Sequence, residues 1–153
     1  MPTFQQLWDA HPGRADVCDK ETFGNQCAMR VSTALRAVGA DLTGLRTCVD
    51  YDGSRFGSHR PGHVRAAQDI ANHFHRVTSG KGLGAASFTI YDGTINGNMA
   101  ALKGAKGMIF IQNGWGTTDH IDVWQGNGSA GTLKGGATEY FGVGEKIWFW
   151  SFA

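Results

Sequence analysis

Between residues 26 and 38, the apolar residues Ala28, Val31, Leu35 and Val38 recur at spacings of three and four, which predicts a helix with one buried face. Asn25 is placed to cap its start and Gly39 to end it. Residues 3–9 read as a short helix ahead of it and residues 11–24 as loop. A Gly-, Asp- and Arg-rich loop runs from about 40 to 60. Pro61 then opens a second helix, with Val64, Ala67, Ile70, Ala71 and Phe74 on one side. The pattern changes beyond residue 80. Residues 87–91, 107–112, 120–124 and 146–152 read as strands, with a short helix over 98–102. In residues 120–124, Ile121 and Val123 fall on one face and His120, Asp122 and Trp124 on the other. Helices followed by antiparallel strands predict an α+β fold, with N-terminal helices packed on an antiparallel sheet. No linker, repeat or low-complexity segment divides the chain, so residues 1–153 are expected to form a single domain.

Composition narrows the function. The 153 residues are 41% hydrophobic and 18% charged, with a net charge of +1, which argues against a nucleic-acid partner held by bulk electrostatics. Nothing approaches the length of apolar sequence that would insert in a membrane. The first residues have neither the basic start nor the apolar core of a secretory signal, so synthesis in the cytoplasm is expected. Glycine, at 23 residues, has about twice its usual share and lies mostly beyond residue 80, where it suits turns between strands. The cysteines Cys18, Cys27 and Cys48 match no zinc spacing, so no metal and no cofactor is expected. In an oxidising compartment Cys18 and Cys48 can pair around the helix that carries Cys27; two reduced thiols are the competing reading.

Cys27 is the first candidate for chemistry. At a helix start, unpaired N–H groups and the helix dipole favour a thiolate, and the same N–H groups, that of Cys27 included, can hold an oxyanion. The competing reading is a small core residue. His120 is the candidate base, and Asp122, one alternate position along the strand, can orient its ring; a half-exposed strand with a polar outer face is the plain alternative. Trp115, on the loop before this strand, and Gln26, beside the thiol, are candidate substrate-binding residues. The remaining histidines read as ordinary. His73 and His75 point apart on a helix, His59 and His63 flank a loop, and His11 carries no signal.

The segments Gly24–Ser32, Gly107–Phe110 and His120–Gly126 and the closing Ile147–Trp150, in this order, resemble the fourth family of type VI secretion amidase effectors. Gly24-Asn25-Gln26-Cys27-Ala28-Met29-Arg30-Val31-Ser32 is similar to the family's nucleophile helix, which typically reads Cys-Ala-Ile-Arg-Met-Ser. Gly107-Met108-Ile109-Phe110 resembles the strand that enters its second motif. His120-Ile121-Asp122-Val123-Trp124-Gln125-Gly126 resembles that motif, Gly-His-Ile-Asp-Leu-Trp followed by Asn or Asp and Gly. The closing Ile147-Trp148-Phe149-Trp150 is like its last strand. Residues 40 to 100 carry little that aligns, and Asp119 stands where the family has Gly.

The resemblance implies a papain-like NlpC/P60 fold and a Cys/His amidase that cuts the γ-D-glutamyl–meso-diaminopimelate amide of peptidoglycan stem peptides. It also implies delivery by the secretion machinery to the periplasm of a target bacterium, and a cognate immunity protein that plugs the cleft. Some members place the acidic residue beyond the His-bearing strand, so Asn127, Glu139 and Glu145 stand as alternatives to Asp122. Two other functions share the sequence features: a papain-like acyltransferase or deamidase, and a non-catalytic cell-wall-binding module.

Overall fold

The computed structural model describes residues 1–20, 23–50 and 62–153. Its centre is a five-stranded antiparallel sheet in the order β1-β5-β2-β3-β4. The strands are β1 (Ser87–Asp92), β2 (Lys106–Trp115), β3 (Thr118–Gly126), β4 (Gly131–Leu133) and β5 (Lys146–Ser151). Helices α1 (Phe4–Ala10), α2 (Cys27–Ala37) and α3 (Ala67–His73) precede it, and the short α4 (Met99–Leu102) lies between β1 and β2. The expected α+β order is therefore present.

Both faces of the sheet are covered. Met108, Phe110, Ile121, Val123 and Trp150 pack against Leu7, Val31, Leu35, Ile70 and Phe74 of the N-terminal helices. Ile109, Ile111, Trp124, Ile147 and Phe149 form a second core with Ile95, Leu102, Leu133 and Phe141. This is why β2 reads as an unbroken apolar run rather than an alternating one. His120 and Asp122 are consequently buried, not part of a polar outer face.

Two local expectations are corrected, and one element was missed. The second helix starts at Ala67, not at Pro61, which, like His59, lies outside the described residues. Gly62 is left-handed, Val64 bridges Thr47, and Ala66 is still extended, so the backbone reaches helical angles only after it. The buried hydroxyl of Ser32 in α2 accepts the N–H of Val64 at 2.9 Å and fixes this segment. The cap of α2 is Gln26 rather than Asn25. Finally, β4 was not legible. It is three residues long, and Gly131 is needed because the Trp124 ring lies where a Cβ would be, 2.3 Å from that position.

Candidate active site

Cys27 opens α2, and its side chain is buried at the edge of the first core. No acidic residue occupies the first turn, so the positive end of the helix is not neutralised by a side chain of its own. Asn25 Oδ1 accepts the Cys27 N–H at 3.2 Å. That N–H is therefore occupied in this state, and its expected role toward an oxyanion requires the Asn25 amide to turn aside.

His120 sits on β3 opposite Ile111 of β2. Its Nε2 lies 2.7 Å from Oδ2 of Asp122, which leaves Nδ1 to address Cys27. Burial works against the charged ring, but the hydrogen bond it donates to Asp122 and the hydrogen bonding and charge of Cys27 outweigh it, and the His120 pKa is raised to about 9. The site thus brings thiol, imidazole and carboxylate together from α2 and β3. Of the four candidates for the third position, Asp122 meets the ring. Asn127 instead accepts the N–H groups of Ser129 and Ala130 in its own turn, Glu145 accepts from Asn113, and Glu139 is exposed on the turn Thr138–Gly142.

The second oxygen of Asp122 is also held. Oδ1 accepts the N–H of Val123 at 2.8 Å and that of Gly135 at 2.9 Å. His11 Nε2 stands 3.6 Å away, from the residue that ends α1. His11 Nδ1 accepts the Gly13 N–H at 3.0 Å, so the proton of the neutral ring is on Nε2 and points to Asp122. Burial above all lowers the His11 pKa to about 4; Asp122 opposes this, while Lys134, Arg30 and His120 add to it. Sequence reading missed His11 because its partner is 111 positions away and no local pattern marks it. The dipeptide Gly135-Gly136 was also missed. A Cβ on Gly135 would lie 2.9 Å from the His11 ring and 3.3 Å from Asp122 Oδ1, and one on Gly136 would lie 3.1 Å from Asp122 Oδ2.

A hollow of about 490 Å³ opens beside His120, lined among others by Gln26, Trp115 and Tyr140. A second, of about 210 Å³, opens beside Cys27. Asn25 and Thr118 line both, so the two form the sides of one site. Trp115 is 43% exposed and stands edge-on to His120 and Tyr140, while Tyr140 in turn packs edge-on against His120. The Gln26 side chain is committed to the backbone of Val17 and Cys18, with bonds of 2.7, 3.2 and 2.9 Å. Arg30 holds Ala15 and Arg14 through their carbonyls. Both residues therefore contribute by tying down a strap, residues 14–18, whose Arg14 and Asp16 line the wall of the larger hollow.

The model of the type VI secretion system amidase effector protein 4 family, Tae4, matches residues 23–150. The chain belongs to this family. It is an amidase effector of the type VI secretion system, in a family of peptidoglycan-cleaving enzymes. Solved structures agree on the fold. The effector Tae4 from Enterobacter cloacae is 18% identical, with a TM-score of 0.67 over 100% of this chain and 98% of its own. Tae4 of the Salmonella typhimurium Tae4/Tai4 effector–immunity system is 19% identical, with a TM-score of 0.63 over 100% and 99%. Salmonella typhimurium Tae4 in complex with the immunity Tai4 from Enterobacter cloacae is 21% identical, with a TM-score of 0.61 over 100% of both chains. No curated protein gives a significant sequence match. The fold of this Tae4-family effector is papain-like, as the resemblance implied. No helix among the described residues is long and apolar enough to cross a membrane.

Proposed function

We propose that this amidase effector hydrolyses the γ-D-glutamyl–meso-diaminopimelate amide of peptidoglycan stems, with Cys27 as nucleophile, His120 as acid and base, and Asp122 as the residue that orients His120. The observation that carries this reading is the single arrangement of Cys27, His120 and the buried Asp122 at the junction of two hollows. His120 already holds the proton given up by the Cys27 thiol, and the sulfur attacks the amide carbonyl. The tetrahedral intermediate collapses when His120 delivers that proton to the leaving amine. A water, deprotonated by the same ring, then releases the thioester as a carboxylate.

Charge supports the substrate class. Arg14, Lys20 and Arg30 line the larger hollow with Asp16 as their acidic counterweight, and Arg14 and Lys20 are exposed. That surplus of cations suits a stem peptide that bears carboxylates on both sides of the scissile bond. Trp115 offers an exposed aromatic edge at the same opening.

Action in the periplasm of a target cell, and inhibition by an immunity protein that fills this cleft, follow from the same reading. Digestion of purified Gram-negative peptidoglycan by the wild type and by Cys27→Ala, read by mass spectrometry of the muropeptides, tests it. Fragments ending in γ-D-glutamate, produced by the wild type alone, support the assignment. The same acyl group joined to another amine identifies a transferase instead. An unchanged digest with saturable binding to the wall polymer identifies a binding module.

A further inference from the structure

Outside the cleft, three ligand-type atoms from separate parts of the chain converge. The thiols of Cys18 and Cys48 and a ring nitrogen of His63 lie within 4.8 Å of one another. Cys48 is buried and the other two are half-buried, so the cluster is sheltered. The Cys48 Sγ–His63 Nδ1 separation is 3.6 Å. With Zn–S near 2.3 Å and Zn–N near 2.0–2.1 Å, two ligands of one tetrahedral ion are separated by about 3.6 Å. The observed edge has that length.

The backbone brings these atoms together without local spacing. The N–H of Cys48 donates to the His63 carbonyl at 2.8 Å, next to the Thr47–Val64 bridge. The backbone N–H and carbonyl of Cys18 are both held by the Gln26 side chain. A disulfide would need only the two thiols; the imidazole supplies the third corner of a metal site. Cys18 also precedes residues 23–150, so the cluster draws on a residue outside the part of the chain that matches the family model.

We propose that Cys18, Cys48 and His63 bind a thiophilic divalent cation, zinc by the chemistry of the set, with water in the fourth position. Both thiols lose their protons on binding and His63 coordinates as the neutral ring through Nδ1. The ion joins the strap of residues 14–18 to the segment after α2, and so braces one wall of the larger hollow.

The test uses the full-length protein, reduced and freed of metal, titrated with cobalt(II) and then zinc. Cobalt is expected to bind one per chain, with the near-ultraviolet thiolate charge-transfer band and the visible bands of a tetrahedral site, and zinc is expected to displace it. Cys18→Ser and His63→Ala, each checked for folding by circular dichroism, should weaken binding at least tenfold, whereas Cys27→Ala should leave it unchanged. Zinc should raise the thermal midpoint of the wild type and of Cys27→Ala but not that of Cys18→Ser. The proposal is overturned if no thiolate band forms, or if the band survives in Cys18→Ser and His63→Ala. It is also overturned if the band is lost in Cys27→Ala, or if Cys18 and Cys48 form a disulfide in reducing buffer that contains zinc.

Discussion

His11 and Asp122 meet across 111 residues of sequence, with Nε2 of the histidine 3.6 Å from Oδ1 of the carboxylate, the oxygen that His120 does not use. One buried carboxylate therefore faces two histidines whose pKa values are pushed in opposite directions, to about 4 for His11 and about 9 for His120. His120 gains its charge from the shorter contact and from Cys27. His11 has only the longer contact against the cost of burial, so it stays neutral at physiological pH.

Replacing Asp122 with Asn should lower kcat by about 10²–10⁴-fold, because the amide no longer stabilises the imidazolium or fixes its orientation. Asn127→Ala and Glu139→Gln should stay within about twofold of the wild type, since neither side chain meets His120. Steady-state kinetics on a stem-peptide substrate decides this. If Asn127→Ala or Glu139→Gln caused the large loss and Asp122→Asn did not, the orienting role would belong elsewhere.

Stability should fall on both sides of neutrality, for separate reasons. The folded-state pKa of His120 is raised, so its contribution is full below about pH 6.5 and is lost as pH rises through about 9. The folded-state pKa of His11 is lowered, so the unfolded chain binds the extra proton, and stability falls as pH drops from about 6.5 to about 4. Thermal unfolding across this range should show the alkaline slope reduced in His120→Gln and the acid slope reduced in His11→Gln. Reduction of the wrong slope in either variant would contradict these assignments.

His11→Ala should cost about 1–3 kcal/mol of stability, because a buried polar neighbour of a buried carboxylate is removed. The loss in kcat should be modest, about tenfold or less, since the contact between His120 and Asp122 remains. Urea unfolding and kinetics on the same preparations separate the two effects.

Gly135→Ala should cost about 1–3 kcal/mol and reduce activity, because its Cβ would press on His11 and Asp122 together. Gly104→Ala is the control. A Cβ there meets nothing within 4 Å, and its stability should change by about 0.5 kcal/mol or less.

Arg30→Met should raise KM several-fold with a smaller change in kcat. The guanidinium holds Ala15 and Arg14 through their carbonyls, and its loss releases the strap without touching His120. An effect confined to kcat would place Arg30 in the chemistry rather than in the wall of the cleft.

The sequence alone determined what short-range physics can determine. The three- and four-residue spacing of Ala28, Val31 and Leu35 set α2 and placed Cys27 at its start, and the apolar runs of β2, β3 and β5 set the centre of the sheet. Alternation along β3 put His120 and Asp122 on one side, which is a local property of any extended strand. Tertiary structure decided the rest. Both faces of the sheet are covered, so a strand that reads as half polar is buried, and that burial makes the two histidine pKa values diverge. His11, Gly135 and the strap held by Gln26 and Arg30 reach the site only through long-range contacts. Cys18, Cys48 and His63 likewise meet only once Val64 has bridged Thr47 and Gln26 has seized the Cys18 backbone. Periodicity records which side of an element is apolar; it carries no record of which distant segment closes over that side.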